Sequence, residues 1–227
     1  MTDVRTVPNY TIAEASRCLG IPAATLRSWF KGHTREGKRY DAFLPMSDSS
    51  RLTFFEMMQA DALFLMSNGN QTTLRAFRDQ LKQIDAMELV RKNNLFHDRR
   101  SIYRQFEEHF VSLREKGQVY GTVLIEPYLK RVLYDARDVA YRIYPFLSRP
   151  ALADEGLPKL VNIVIDPKIC YGAVFHEKIG APVAIIGKRF DLGDDEELLA
   201  RDYDTTKEFI REALRARNLI YVHQEAA

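Results

Sequence analysis

The stretch TIAEASRCLGIPAATLRSWFKG, residues 11–32, constrains the fold of this chain more than any other. Apolar residues recur at helical spacing on both sides of Gly20-Ile21-Pro22, which interrupts the pattern. Thr11 and Glu14 have capping-box spacing, in which each side chain satisfies a free amide at a helix start. Pro22 suits the first turn of a second helix, where an N–H would have no partner. Two short helices joined by a tight turn are therefore expected.

The second of these helices has two interpretations. Ala24, Thr25 and Ser28 are small enough for it to enter a major groove, which is about 12 Å wide. Arg27 and Lys31 are long and basic, and suit guanine edges or phosphates. Alternatively, the pair of helices packs a core and its charges are ordinarily solvated. The local pattern leaves both interpretations open.

Charge is unevenly distributed along the chain, although its formal net charge is only +2. Residues 17–40 contain six basic residues and one acidic residue, whereas residues 161–227 contain nine basic and twelve acidic residues. Uneven charge also arises by chance, but a basic patch attracts phosphate backbones, and basic residues after the second helix would add backbone contacts. The candidate DNA-contacting residues are Ala24, Thr25, Arg27, Ser28, Lys31, Arg35, Lys38 and Arg39.

The pattern of apolar residues changes twice along the chain. Residues 1–90 are mostly helical, with a β-wing expected from strands near 40–44 and 51–53 and further helices at 54–66 and 73–90. Residues 91–160 alternate apolar and polar positions and are rich in Tyr, Val, Ile and Phe, which indicates strands. Residues 161–227 are first turn-rich, with short extended pieces, and then carry helical patterns at 194–200 and 207–217.

Exposed aromatic residues within 101–147 would suit single-stranded nucleic acid or a protein partner, but alternation more often means one buried sheet face. Catalytic and metal-binding patterns are weak. The two cysteines, Cys18 and Cys170, are far apart in sequence, so neither a disulfide framework nor a zinc site is indicated. This use of cysteine is consistent with a protein of the reducing cytoplasm. Cys170 and His176 could form a thiol–imidazole pair, but a buried cysteine and a loop histidine are the simpler interpretation.

The acidic run 194–197 could bind a metal, yet acids at a helix start also favour the helix dipole. Nucleotide-binding glycine motifs, a signal-peptide pattern and an apolar run of 18 residues are all missing from the sequence. We therefore expect no enzyme, no cofactor, no metal and no membrane association.

The opening of the chain resembles a known family. The segments YTIAEA, LGIP and TLRSW between residues 10 and 29 are similar to the start of MerR-type winged helix-turn-helix domains. The resemblance continues through RLTF, residues 51–54, to the predicted helix near 72–81. It departs in the wing, which is longer here (residues 33–50), and in lacking the long dimerising coiled coil and effector-binding cysteines.

The C-terminal residues 164–214 contain the segments DPKICYG (166–172), PV (182–183) and EELLARDY (196–203), and the positions Thr206, Ile210 and Ala213-Leu214. In this order they resemble the small antitoxin-like domain called domain of unknown function 433. The departure is EKIGA at 177–181, where the family usually has Gly-Thr-Arg.

Together the two ends resemble VapB-like antitoxins of type II toxin–antitoxin pairs. This resemblance implies a cytoplasmic homodimer that binds its own promoter, represses its operon and neutralises a PIN-like ribonuclease toxin. The expected fold is α+β: a winged helix-turn-helix (1–90), a β-rich middle region (91–160) and a small helical, helix-turn-helix-like domain (161–227). The alternatives are a MerR-like regulator that senses a small ligand through its β-rich region, and a protein-interaction module whose helix-turn-helix serves only packing.

Overall fold

The structure of the chain is a computed structural model. It describes residues 2–67, 85–91, 95–97, 102–106, 109–112, 119–120, 131–147 and 159–222. Within these ranges the chain forms six α-helices and thirteen short strands, all paired antiparallel. This mixture of helices and small sheets confirms the predicted α+β class. None of the helices in the described ranges has the length and apolar character needed to cross a membrane.

The N-terminal part contains three helices and two small sheets. Its helices are α1 (Ile12–Leu19), α2 (Ala23–Lys31) and α3 (Phe54–Ser67). Its strands are β1 (Tyr10–Thr11), β2 (His33–Arg35), β3 (Lys38–Tyr40) and β4 (Arg51–Leu52). Strand β1 pairs with β4, and β2 pairs with β3.

Local sequence signals set the ends of these helices. The predicted capping box starts α1: the Thr11 hydroxyl accepts from the Glu14 amide, and the Glu14 carboxylate accepts from the Thr11 amide. Gly20, with φ of 72°, ends the helix in the left-handed conformation that glycine adopts easily. Thr53 and Glu56 repeat the same reciprocal bonds at the start of α3. The predicted pair of short helices is confirmed.

The predicted pairing of the wing strands is wrong. Residues 38–40 pair with 33–35 instead, because Glu36 and Gly37 both adopt positive φ (52° and 75°) and close a two-residue turn. Strand β4, expected to complete the wing, pairs with β1 at the start of the chain, where Leu52 lies opposite Tyr10. The basic residues expected in the wing therefore lie on a hairpin that directly follows α2.

Strands dominate the described parts of the middle region. β5 (Leu95–His97), β6 (Ile102–Phe106), β7 (His109–Ser112) and β8 (Val119–Tyr120) form one sheet in sequence order. β9 (Val132–Tyr134) and β10 (Ala140–Ile143) form a separate hairpin.

The helix predicted over 73–90 does not extend to Val90. Asp85 is extended, and Ala86–Val90 is a 3-10 helix. The rest of that prediction, residues 73–84, lies outside the described residues.

The C-terminal part begins with short strands, where the sequence predicts short extended pieces, and continues with helices. β11 (Ile163–Val164), β12 (Phe175–His176) and β13 (Ala181–Pro182) form a three-stranded sheet that precedes the helices. The helices are α4 (Val183–Asp191), α5 (Glu196–Asp202) and α6 (Lys207–Tyr221).

Helix α4 was not predicted, because the sequence around Gly187 reads as turn-rich. Gly187 instead lets α4 approach α6 closely: a Cβ at this position would lie 2.7 Å from atoms of the Arg217 side chain.

The two ends of the chain pack against each other. The Arg17 guanidinium of α1 donates to the carbonyl of Ile220 near the end of α6, at 2.6 Å. Ile143 of β10 and Ile165 exchange backbone hydrogen bonds of 3.0 and 2.9 Å, which join the middle hairpin to the C-terminal part. One buried apolar cluster runs through all three regions of the described chain. The proposed division at residues 90 and 160 stays a prediction.

Candidate nucleic-acid interface

Helix α2 separates its buried residues from its polar ones. Leu26, Trp29 and Phe30 are buried in the core. The five candidate residues of this helix lie on its other side: Ala24, Arg27 and Lys31 are exposed, and Thr25 and Ser28 are half-buried. Leu26 and the two aromatic residues thus anchor the helix in the core, and its polar face stays accessible to solvent.

The β2–β3 hairpin is attached to the end of α2. The His33 ring stacks on the Tyr40 ring, with centroids 4.8 Å apart and planes 8° apart. Its Nδ1 atom lies 2.7 Å from the Ser28 hydroxyl oxygen, at hydrogen-bond distance. The Trp29 carbonyl accepts from the amides that follow the hairpin, at Phe43 and Leu44 (2.7 and 3.0 Å). These contacts hold the hairpin in a fixed position beside the candidate face of α2.

Arg35, Lys38 and Arg39 are all exposed on this hairpin. Arg35 is paired with Glu36 at 3.5 Å, and the Lys38 ammonium lies 5.7 Å from the centre of the Tyr40 ring. Exposed contacts of this kind contribute about 0–1 kcal/mol to stability, so a ligand could replace them at little cost in free energy. Within the described part of the chain, Arg27 and Arg39 form no ion pair.

Lys31 is held differently from the other candidate cations. Its ammonium donates to the Ser49 carbonyl at 2.8 Å, which ties α2 to the loop before β4. The carboxylate of Asp48 shapes this loop by accepting from the Ser50 hydroxyl and from the amides of Ser50 and Arg51. The Ser50 bonds, with that from Arg51, lower the pKa of Asp48 below its ordinary value.

Two residues of this surface, His33 and Tyr40, were not among the sequence candidates. Their signal is weak, because a histidine after a helix-ending glycine has no fixed role. Only the antiparallel register, in which His33 lies opposite Tyr40, brings the two rings together. They act here as positioning residues that join the hairpin to Ser28.

Gly32→Ala is expected to lower the free energy of unfolding by about 2–3 kcal/mol. Gly32 has φ 68° and ψ −175°, a region that is essentially restricted to glycine, and a Cβ would lie 2.4 Å from the Tyr40 carbonyl oxygen. Gly37→Ala is the matched control: it also has positive φ but nothing within 4 Å, so it should cost about 1 kcal/mol. Urea denaturation measures both. Equal costs would show that the close approach at Gly32 is unimportant.

The other sequence candidates for chemistry have structural partners. Both ring nitrogens of the buried His176 are engaged: Nε2 contacts the Glu212 carboxylate at 3.3 Å, and Nδ1 accepts from the Ile179 amide. The ring therefore has no nitrogen available for Cys170, and burial raises the pKa of that thiol. A thiol–imidazole pair is not formed.

The acidic run at the start of α5 is also paired. Asp195 caps the helix by accepting from the Leu198 amide. The other three carboxylates bind cations: Asp194 pairs with Arg189, Glu196 with Arg211, and Glu197 with Lys207. No cluster of potential metal ligands occurs among the described residues.

Comparisons with known proteins find a curated relative and a similar crystal structure. No protein-family model matches the chain. The chain is 26% identical over 234 residues to a protein named "Putative antitoxin VapB45" from Mycobacterium tuberculosis, covering 92% of this chain and 94% of the relative. It also matches the crystal structure of Rv2018 from Mycobacterium tuberculosis, with 21% identity, a TM-score of 0.49, and coverage of 92% and 98% of the two chains.

Proposed function

We propose that this chain is the antitoxin of a toxin–antitoxin pair, and that it binds DNA through α2 and the β2–β3 hairpin. The observation that carries the antitoxin role is end-to-end similarity, over 92% of this chain and 94% of the relative, to a protein named as an antitoxin. Similarity over nearly the whole of both chains supports a shared role better than a match to one part would.

The DNA-binding part of the proposal rests on the surface of α2 and its hairpin. Arg27, Lys31, Arg35, Lys38 and Arg39 are exposed on two adjoining elements. Small side chains at Ala24, Thr25 and Ser28 would let the start of α2 approach base edges. The hairpin cations would bind phosphates, which fix the position of the protein on the duplex. This division of roles is that of a winged helix-turn-helix.

The remaining parts of the proposal follow the resemblance to VapB-like antitoxins. The chain acts in the cytoplasm as a homodimer, binds the promoter of its own operon and represses it. Its partner is a PIN-like ribonuclease toxin, which it neutralises by direct binding.

A mobility-shift assay with the DNA upstream of the gene tests the interface. The double variant Arg27→Ala/Lys31→Ala should bind about 100-fold more weakly, at about tenfold for each contact. Each lost phosphate contact should also reduce the slope of log affinity against log salt by about 0.9. Lys207→Ala/Arg211→Ala removes the same charge from α6, where both cations pair with α5 carboxylates. This control should bind within about twofold of the wild type.

Two results would contradict the proposal. Unchanged DNA binding by the Arg27/Lys31 double variant would exclude α2 as the recognition helix.

Co-expression with a neighbouring PIN-like gene product, followed by size exclusion, tests the antitoxin role. Failure of the two purified proteins to form a complex would exclude the antitoxin function.

A further inference from the structure

The turn of the β2–β3 hairpin places one acidic residue, Glu36, among basic ones. The hairpin has the sequence HTREGKRY over residues 33–40, so Glu36 is its one carboxylate beside three Lys or Arg residues. A two-residue turn of this kind needs positive φ at both central positions, which favours Asn, Asp or Gly. Gly37 meets this requirement, whereas Glu36 adopts a φ of 52° that its side chain disfavours. A glutamate at this position is therefore locally unfavourable.

The fold gains little stability from Glu36 in return. Its side chain is 83% exposed, and its carboxylate pairs at 3.5 Å with the Arg35 guanidinium, whose side chain is 67% exposed. Exposed ion pairs of this kind contribute little to stability. Glu36 does change the charge that the hairpin presents, because it lowers the formal charge of residues 33–40 from +3 to +2, with His33 neutral.

The Glu36 carboxylate acts differently on the two parts of a DNA duplex that a hairpin can contact. Phosphates repel the carboxylate, and the ion pair also occupies the Arg35 guanidinium that would otherwise bind them. In the major groove, by contrast, the amino group of cytosine can donate a hydrogen bond to a carboxylate. Glu36 therefore penalises arrangements in which the turn lies on the phosphate backbone, and it tolerates those in which the turn faces a base edge that donates.

This difference separates the DNA upstream of the gene, which we call the operator, from other DNA. Binding to other DNA comes essentially from phosphate contacts, so the hairpin is drawn to the backbone wherever the protein binds. On the operator, the base contacts of α2 select one register on the duplex. The contact between Ser28 and His33 ties the hairpin to α2, so the turn then takes one position as well. The carboxylate costs less binding free energy where that one position keeps it away from phosphates.

We propose that Glu36 is a specificity-determining residue, which weakens binding to other DNA more than binding to the operator. Specific recognition combines attractive contacts with groups that penalise the wrong partner, and Glu36 acts as such a group. The proposal rests on the proposed DNA interface, and it adds how that interface rejects DNA other than the operator. It also gives a reason for an unfavourable residue in the turn.

Variants at Glu36 separate its charge from its backbone conformation. Glu36→Gln removes the charge and keeps the size of the side chain, Glu36→Asp keeps the charge, and Glu36→Asn removes the charge with a residue that suits positive φ. Glu197→Gln is the matched control, because Glu197 is 77% exposed and pairs at 2.9 Å with the exposed Lys207. Mobility shift over a range of salt concentrations measures each variant on the operator and on a duplex of the same composition with shuffled sequence.

Glu36→Gln and Glu36→Asn should bind the shuffled duplex about fivefold more tightly at low salt, the effect of one unit charge at about 4 Å in water. The slope of log affinity against log salt should become steeper by about 0.9 on this duplex, because the released Arg35 gains one phosphate contact. Their affinity for the operator should change by less than about twofold. Glu36→Asp and Glu197→Gln should stay within about twofold of the wild type on both duplexes.

Thermal unfolding of the same variants distinguishes a role in recognition from a role in stability. In the hairpin Arg35 lies opposite Lys38, and a nearby carboxylate offsets part of the repulsion between like charges. If this were the whole role of Glu36, Glu36→Gln would lower the thermal midpoint and leave the ratio of the two affinities unchanged. We expect the reverse, with the thermal midpoint of Glu36→Asn equal to that of the wild type or higher.

Three results would overturn the role of Glu36 in specificity. An equal gain on both duplexes would show a general effect of charge, and so would a gain of the same size in Glu197→Gln. Unchanged affinity of Glu36→Gln for the shuffled duplex would exclude any effect of the carboxylate. In these cases the DNA interface stands, provided that the Arg27/Lys31 double variant binds the operator more weakly than the wild type. If the wild type does not bind the operator, the DNA interface fails, and the role of Glu36 fails with it.

Discussion

Asp61→Ala is expected to lower the free energy of unfolding by about 3–5 kcal/mol, because it leaves the charge of Arg131 buried without its partner. The Arg131 guanidinium donates to the Asp61 carboxylate, and the two side chains are only 8% and 0% exposed. The pair joins α3 to the residue just before β9, 70 positions along the chain. Burial, together with the Asp61 charge, also raises the pKa of the nearby Tyr134 to about 12.

Urea denaturation at neutral pH measures this cost, and two further variants identify its cause. Lys207→Ala breaks an exposed ion pair with Glu197, in which the side chains are 46% and 77% exposed, and should cost less than about 1 kcal/mol. Asp61→Leu/Arg131→Met removes both charges and should recover much of the loss, since apolar replacements of buried pairs are often tolerated. A cost below about 1 kcal/mol for Asp61→Ala would show that the pair is not desolvated.

Glu212→Ala should be nearly as damaging, with an expected loss of about 3 kcal/mol at neutral pH. The buried Glu212 carboxylate accepts from the Asn162 amide and from its side-chain nitrogen, at 2.7 and 2.9 Å. His176 Nε2 lies 3.3 Å from the same carboxylate and donates to it, because Nδ1 of that ring accepts from a backbone amide. Removing the carboxylate leaves these buried donors without an acceptor.

The same carboxylate gives stability a defined pH dependence. Burial raises the pKa of Glu212, but the hydrogen bonds from His176 and Asn162 outweigh this effect and hold the pKa below the ordinary value of 4.5. A pKa that is lower in the folded state contributes stability above the unfolded value, and this contribution is lost as the pH falls through the folded value. The stabilisation by Glu212 should therefore be complete near neutral pH, and should be lost progressively below pH 4.5 as the pH falls through the lower pKa of the folded state.

Glu212→Gln isolates this contribution when its unfolding free energy is compared with that of the wild type from pH 7 to pH 3. The difference should be large at pH 7 and should shrink as the pH falls. Glu208→Gln, an exposed carboxylate on the same helix, is the control and should show a small difference at every pH. A Glu212→Gln difference that stays constant over the range would contradict the assignment.

Features of the fold that depend on near neighbours in sequence were predictable. The Thr11–Glu14 capping box and the left-handed Gly20 each need only a few residues to act. Thr206, directly before the helical pattern predicted over 207–217, caps the last helix by accepting from the Phe209 amide. Such signals fix where helices begin and end because the free amides and carbonyls are local.

Features that depend on distant residues were not predictable. Strand β4 pairs with β1, where Leu52 lies opposite Tyr10. The sequence between residues 33 and 54 gives no indication of this pairing. In the sequence Gly187 resembles a turn residue. In the structure it lies within α4 against the Arg217 side chain of α6, a contact between residues that are distant in sequence. The candidate interface shows the same division: its basic residues can be identified in the sequence, whereas the contact between His33 and Tyr40 depends on the register of the hairpin.

The packing of α1 against α6 has a consequence for the order in which the chain acquires its structure during synthesis. Arg17 and Ile220 are 203 residues apart, so α1 is synthesised well before the part of α6 that contacts it. At about 5–20 residues per second, that interval is about 10–40 s. During this time the side of α1 that later contacts α6 stays open to other partners. The first helix of the proposed DNA-binding unit can therefore be fully enclosed only after α6 has been synthesised.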